Sequence, residues 1–212
     1  MRSTKRIRRD PAEAKLLILK TAGKVMLEEG YAAVSVRRVA KSAGVSSTLL
    51  HYYYPTTDDL LVALYRHTSE KDLESLKRAL SAEDPLSALW AYQTDSSRTA
   101  LGVEFLALAN HRKTIRTEIV RFAESARHVQ AKALSSLLGS SGIDSGACSP
   151  LCISTLLTSV SRNLIFESGV GISSGHAEAR AYVDRKLTEL RRKRKRVHAD
   201  RSMSGVRPFK SS

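Results

Sequence analysis

The side chains best suited to chemistry are the hydroxyl, imidazole and phenol groups that crowd residues 46–53. They are Ser46, Ser47, Thr48, His51, Tyr52 and Tyr53. Such groups donate hydrogen bonds to phosphate oxygens and base edges, whereas Leu49 among them can contact only a thymine methyl. Because short hydroxyls discriminate weakly between bases, sequence preference is expected to depend also on Arg37 or Arg38 and on DNA shape. This stretch predicts nucleic-acid binding, with plain aromatic packing as the alternative for the tyrosines.

Two short helices joined by a tight turn would present these groups. Ser35 and Ser46 are each suited to cap a helix, and Gly44 between them suits the bend. The spacing is typical of a helix-turn-helix over residues 35–54, whose second helix can enter a major groove about 12 Å wide. Tyr54 is expected to turn inward.

Composition favours a soluble helical protein with an anionic partner. The 212 residues are 42% hydrophobic and 26% charged, with a net charge of +14 at pH 7. Residues 1–60 carry 11 bases against 6 acids, and residues 184–212 carry 11 against 3. This charge makes an anionic polymer the first partner to consider. The basic arm at residues 1–10 is interpreted as a phosphate or minor-groove contact, and the run 191–196 as a solvated tail.

Several features bear on the compartment and on redox chemistry. We find no secretory signal and no apolar stretch of about 18 residues, so a cytoplasmic protein without membrane contact is expected. Cys148 and Cys152 are too few for a disulfide framework and are interpreted as reduced.

Apolar spacing predicts an all-α fold of about nine helices. They are expected near residues 11–29, 36–43, 46–52, 57–80, 85–97, 103–109, 115–138, 151–166 and 176–192. The glycine- and serine-rich stretch 139–146 predicts a flexible loop.

Four segments of the N-terminal third carry a family resemblance. They are Gly30-Tyr31, Ser35 to Ala40, Ala43 to Ser46 and His51 to Pro55. With the chain around them, residues 16–61, they resemble the DNA-binding domain of TetR-type bacterial transcriptional regulators. The resemblance implies a three-helix helix-turn-helix domain followed by a helical domain that binds a small effector and dimerises through its last two helices.

The resemblance also implies roles for single residues. Ser35 would cap the second helix and touch phosphate, residues 46–48 would read bases, and His51 and Tyr53 would hold the DNA backbone. One position departs from the family pattern, because Thr57 stands where a lysine is common at the start of the fourth helix. One charged phosphate contact is then lost, and the N-terminal arm is a candidate to replace it.

We interpret the sequence as that of a homodimeric repressor that a small molecule releases from a palindromic operator. The expected segments are an arm at 1–10, a DNA-binding domain at 11–71, an effector and dimerisation domain at 72–192 and a basic disordered tail at 193–212. Candidates for the effector pocket, each also a plain core residue, are Trp90, Phe105, His111 and Phe122. Candidates for the dimer stripe are Leu151, Leu156, Leu157, Val160 and Leu164.

Two other function classes remain as alternatives. A constitutive activator or architectural protein would bind DNA through both basic ends without an effector. A hydrolase would use Ser173 in Gly171-Ile-Ser-Ser-Gly175, but that motif requires a preceding strand, and the spacing before it is helical. No cofactor, metal site or enzymatic activity is expected.

Overall fold

The computed structural model describes residues 10–140 and 149–204, and these residues form nine α-helices and no strand. The helices are α1 (Pro11–Glu29), α2 (Val36–Ala43), α3 (Ser47–Tyr53), α4 (Thr57–Leu80), α5 (Pro85–Gln93), α6 (Ser96–Ala109), α7 (Lys113–Ser140), α8 (Pro150–Gly169) and α9 (His176–Ser204). A short 3-10 turn, Tyr31–Ala33, follows α1. The all-α prediction is confirmed.

Local capping explains where most of these helices begin. The hydroxyls of Ser35 and Ser46 accept hydrogen bonds from the backbone N–H groups of Arg38 and Leu49, as the sequence predicts. Asp84 caps α5 in the same way. Asp10 stands at the start of α1, where its carbonyl oxygen accepts from the Ala14 N–H, but its side chain makes no capping hydrogen bond.

The first of two compact units comprises residues 1–72 and 100–122. Its core is apolar and is built from α1, α2, α3, the first half of α4, α6 and the start of α7. The fully buried side chains include Ile18, Met26, Leu50, Leu60, Leu61, Phe105, Leu108 and Ile115. This unit therefore differs from the predicted 11–71 domain by one later segment, which joins because Phe105, Leu108 and Ile115 complete its core.

The second unit comprises residues 73–99 and 123–212. Its buried apolar residues are Leu76, Leu86, Leu89, Trp90, Leu134, Leu164 and Leu187. The core thus draws on the end of α4, α5, most of α7, α8 and α9.

The final helix is longer than predicted. The sequence interpretation ended it near 192 and made 193–212 a disordered tail, but α9 continues to Ser204. Arginine and lysine are good helix formers, and no glycine or proline interrupts residues 176–204, so nothing local ends the helix earlier. The predicted arm at 1–9, most of the loop at 139–146, Cys148 and the segment 205–212 lie outside the described residues.

Candidate nucleic-acid interface

The turn between α2 and α3 is a left-handed glycine cap. Gly44 has φ +64° and ψ +33°, and the Val45 N–H bonds to the Ala40 carbonyl oxygen at 3.1 Å. A side chain at residue 44 would be strained at this φ, while Val45 packs partly against the first core. The turn therefore fixes the angle at which α3 leaves the unit.

One side of α3 is anchored and the other is free. Leu50 is fully buried, and Tyr54 after the helix is buried as well, as predicted. The anchoring leaves Ser46, Ser47, Thr48, His51 and Tyr52 exposed and Leu49 half-buried. The hydroxyl-rich side therefore faces away from its own unit, as binding to a duplex requires.

The aromatic rings of Tyr52 and Tyr53 continue this surface to the end of α3. Tyr52 is 79% exposed, and its ring meets that of Tyr53 edge-on with centroids 5.3 Å apart. The ammonium of Lys15 on α1 lies 5.3 Å from the centroid of the Tyr53 ring. Sequence reasoning missed Lys15, because only the fold brings α1 beside α3. Burial raises the pKa of Tyr54, whose hydroxyl is withdrawn from this surface.

The His51 ring is oriented by the backbone. Its Nδ1 lies 3.2 Å from the carbonyl oxygen of Pro55, and a carbonyl can only accept, so Nδ1 carries the proton. In the neutral ring Nε2 then has no hydrogen. The predicted donation from His51 to phosphate accordingly requires the doubly protonated imidazolium.

The two arginines of α2 have different surroundings. Arg38 is held by Glu29 at the end of α1, with Nε 3.0 Å from Oε2 and a second contact from its Nη2, and it also contacts Ser42. The hydrogen bond that Arg38 donates to the Glu29 carboxylate raises the pKa of Arg38. Arg37 is exposed. Of the two predicted base contacts, Arg37 is the one whose guanidinium stands free of this ion pair.

The start of α4 is closed by a reciprocal cap. The Thr56 N–H donates to the Asp59 carboxylate at 3.0 Å, and the Asp59 N–H donates to the Thr56 hydroxyl at 3.1 Å. Asp58 pairs with Arg112 of the first unit. Both carboxylates beside Thr57 are therefore engaged, while Thr57 itself, the first residue of α4, offers no cation to DNA.

A cleft of about 810 Å³ lies beside the end of α3 in the first unit. Its wall includes Glu118, which accepts hydrogen bonds from Arg66 at 2.7 Å and from Arg121. The bond from Arg66 above all holds the pKa of Glu118 down to about 2. His67 also lines the cleft, and burial lowers its pKa. The ion pairs tie α4 to α7 within this unit.

The predicted pocket residues do not form one cluster. Trp90 is buried in the second core, whereas Phe105 belongs to the first, where its ring meets Tyr65 edge-on at 4.9 Å. Phe122 meets the same tyrosine at 6.2 Å, and exposed His111 stacks on Tyr31 at 6.3 Å. Sequence reasoning overlooked a different group, the buried amides Gln93 and Gln130 of the second unit, because an isolated glutamine on a helix carries no local signal.

The segment around Ser173 is a turn. Gly171 and Gly175 have φ of +88° and +79°, and the Ser173 carbonyl accepts from the His176 N–H. The His176 ring bonds instead to Glu167 at 2.7 Å and to Ser168 at 3.3 Å. No strand precedes Ser173 in the described chain, so the nucleophile elbow has no support there.

The described residues contain no group of three or more His, Cys, Asp or Glu side chains placed to hold a metal ion. None of their helices combines the length and the apolar character needed to cross a bilayer.

Comparison with known proteins gives a family model and many structures. Residues 18–64 match the model described as bacterial regulatory proteins, tetR family. No curated protein matches the sequence. A putative TetR-family regulator from Rhodococcus sp. is 19% identical with a TM-score of 0.70, covering 84% of this chain and 98% of its own. A putative regulator from Pseudomonas aeruginosa is 19% identical with a TM-score of 0.68, covering 87% and 96%.

A third similar structure has a bound small molecule. It is a putative regulator from Saccharomonospora viridis in complex with choline, 16% identical with a TM-score of 0.65 over 85% of this chain and 94% of that one. Identities this low establish a shared fold, while the sequence match over residues 18–64 covers the helix-turn-helix. Residues 18–64 of this chain therefore match the tetR family of bacterial regulatory proteins, and this match over the helix-turn-helix identifies a DNA-binding transcriptional regulator.

Proposed function

We propose that the protein is a repressor that binds a near-palindromic operator as a homodimer and is released by a small molecule. The observation that carries the proposal is the free side of α3, where Ser46, Ser47 and Thr48 are exposed while Leu50 is fully buried. A helix anchored in this way can enter a major groove with its N-terminal residues toward the bases. In a dimer, the two α3 helices would lie about 34–36 Å apart and occupy successive major grooves.

The contacts divide into two classes. The proposed base contacts are Ser46, Ser47, Thr48 and Leu49, together with the exposed Arg37. The proposed phosphate contacts are Ser35, Lys15, His51, Tyr52 and Tyr53. Phosphate contacts supply affinity without sequence preference, whereas base contacts supply preference. Arg38 leaves the first class because Glu29 holds it.

A partly apolar face of α8 is the proposed dimer surface. Leu156, Val160 and Phe166 are 55%, 36% and 51% exposed and share one face at helical spacing with the exposed Cys152 and Asn163. Of the predicted stripe, Leu151 is also exposed and Leu157 is half-buried. Leu164 is 5% exposed and packs in its own core, so it does not belong to this surface.

Effector release is proposed as a population shift. Helix α4 runs from Thr57 to Leu80, with Leu60 and Leu61 in the core of the first unit and Leu76 in the core of the second. A ligand that favours one position of α4 would change the distance between the α3 helices of the two subunits. A coupling of about 1–3 kcal/mol changes DNA affinity 5- to 150-fold. The choline-bound relative supports a small ligand as the effector in this fold.

The test is a competition between DNA from upstream of the protein's own gene and random DNA of equal length. We expect preference for the former, and size-exclusion chromatography of the complex should give two chains per duplex. Equal affinity for both duplexes would contradict a sequence-specific repressor.

Three single changes separate the contact classes. Thr48→Ala should alter sequence preference, and Tyr52→Phe should weaken binding to every sequence alike. Tyr54→Phe is the matched control, because Tyr54 is 7% exposed and lines the cleft of the first unit, so the change should leave DNA affinity unchanged. If Thr48→Ala weakens all sequences equally while Tyr52→Phe changes preference, the two assignments are reversed.

The basic part of α9 favours a second candidate, an architectural DNA-binding protein. Residues 191–196 are six consecutive Arg and Lys on a helix, and Arg191 pairs with Asp84 at 3.1 Å. Such a protein would show a steep dependence of affinity on salt without preference between duplexes. The same competition, repeated across a salt series, distinguishes it from a repressor.

A further inference from the structure

A polar network lies inside the second unit, where three helices meet. Gln93 of α5 and Gln130 of α7 are 5% and 6% exposed, and Ser154 of α8 is fully buried. The Gln93 Nε2 donates to Gln130 Oε1 and to the Thr158 hydroxyl, both at 3.2 Å. The Ser154 hydroxyl donates to the same Gln130 oxygen at 2.7 Å. These four residues are named the amide node.

The orientation of the Gln93 amide follows from Thr158. The Thr158 hydroxyl donates its one hydrogen to the Ser154 carbonyl oxygen at 2.8 Å, so it can only accept from Gln93. The NH₂ group of Gln93 must therefore face Thr158. Its Oε1 then points away from the node, and this atom is buried without a hydrogen-bond partner.

An unpartnered buried amide oxygen is uncommon, because removing an acceptor from water without replacing its hydrogen bond is costly. Gln130 Oε1 accepts two hydrogen bonds within the node, whereas Gln93 Oε1 accepts none. What completes it must bring an O–H or N–H donor into the core.

The chemistry around the node limits what that donor belongs to. The buried polar side chains of the described residues are Ser69, Gln93, Gln130, Ser154 and Ser161, and none is charged. An ammonium or guanidinium would enter without a counter-charge, at a large desolvation cost. Apolar residues of the same core, Leu89, Trp90, Leu134 and Leu164, suit a hydrocarbon body.

We propose that the amide node is the polar end of the effector site, and that it recognises a neutral amphiphile whose single hydroxyl or N–H donates to Gln93 Oε1. The inference rests on the proposed function, since it names the chemistry of the effector. It separates this chain from any relative whose ligand is a cation.

Trp90 reports on the site directly. It is the one tryptophan of the chain, it is 7% exposed, and it lies three residues before Gln93 on α5. Its fluorescence in the full-length protein is titrated with 1-octanol and with 1-methoxyoctane, which has a similar hydrocarbon body but no donor. We expect a saturable change with octanol at a concentration about tenfold lower than with the ether, because only octanol satisfies the buried oxygen.

The variant Gln93→Leu should remove this preference, so that octanol and the ether act at similar concentrations. Gln93→Met is the second variant if circular dichroism shows that the first does not fold. Ser136→Ala, on the exposed face of α7, is the control that should keep the tenfold preference. A node with a purely structural role would lower stability in the Gln93 variants without changing a preference between the two ligands.

Three results overturn the proposal: no saturable response to octanol, equal responses to octanol and its ether, or a preference that persists without Gln93. The titration contains no DNA, so it is independent of the operator competition. Octanol binding with the expected preference, in a protein that fails the competition, would retain the site and refute the repressor. Operator binding without the octanol preference would do the reverse.

Discussion

The two compact units differ in what they bury. The first has a largely apolar core, and the buried polar groups found in its described part are Ser69 and the Nε2 atom of half-buried His67. The second buries Gln93, Gln130, Ser154 and Ser161. Apolar side chains offer no hydrogen-bond acceptor to a small molecule that carries a donor. A buried polar network, by contrast, is stable only when each of its groups has a hydrogen-bond partner. The contrast suggests that the first unit is a scaffold for an external surface and that the second holds a selective interior.

The largest expected effect comes from truncating the buried side chain that holds α3 in the first core. Leu50→Ala removes a fully buried side chain that holds α3, and should destabilise the first unit by about 2–5 kcal/mol. DNA binding should be lost with it. Urea unfolding and fluorescence anisotropy with labelled DNA measure the two effects.

The adjacent Leu49→Ala is the matched control. Leu49 is half-buried on the reading side of the same helix, so its truncation should cost less than about 1 kcal/mol while changing base preference. If the two leucines cost the same stability, α3 is not anchored through Leu50 as described.

The second largest expected effect comes from removing an amide of the amide node in the second unit. Gln130→Leu leaves the Ser154 hydroxyl and the Gln93 Nε2 without their shared acceptor, and should cost about 1–3 kcal/mol in the free energy of unfolding. The double variant Gln93→Leu with Gln130→Leu should cost less than the sum of the single changes, because fewer buried groups remain unpaired. Additive costs in urea unfolding would show that the two amides act independently.

The same contrast separates what the sequence could predict from what it could not. Caps and turns are local, so Ser35, Gly44 and Ser46 were enough to place the helix-turn-helix. The burial of Leu50 under an exposed hydroxyl face follows from helical period alone. Most of the external surface was therefore predictable.

The features that the sequence did not predict are contacts between segments far apart in the chain. Glu29 removes Arg38 from the set of free cations, and Lys15 joins Tyr53, through packing of α1 that no local pattern encodes. The amide node depends on residues from three helices, the most separated of which are 65 positions apart. Candidate pocket residues chosen by bulk were instead divided between two cores.

A smaller effect concerns Glu118, whose pKa of about 2 lies below its ordinary 4.5 because of Arg66 first and Arg121 after it. A lowered carboxylate pKa stabilises the folded state above about pH 4.5, and that stabilisation is lost as the pH falls toward 2. Since both arginines are largely exposed, Glu118→Gln should cost only about 1 kcal/mol at pH 7.

The same variant should flatten the dependence of stability on pH between about 5 and 2, measured by urea unfolding at each pH. Glu124→Gln on the exposed side of α7 is the control and should leave the curve unchanged. A Glu118→Gln curve as steep as the wild type would mean that other carboxylates determine the acid sensitivity of the first unit.

The smallest expected effect tests whether the start of α4 belongs to the DNA-binding surface. Thr57→Lys places a cation where the family commonly has one, and Asp58 and Asp59 are already engaged by Arg112 and Thr56, so the new charge is free to meet phosphate. Affinity for all duplexes should rise a few-fold, and the slope of log affinity against log salt should steepen by about 0.9, the value for one added phosphate contact. Ser136→Lys adds the same charge in the second unit and should change the slope much less. Equal slopes for the two lysine variants would mean that net charge alone controls DNA affinity, and that the start of α4 does not approach the phosphate backbone.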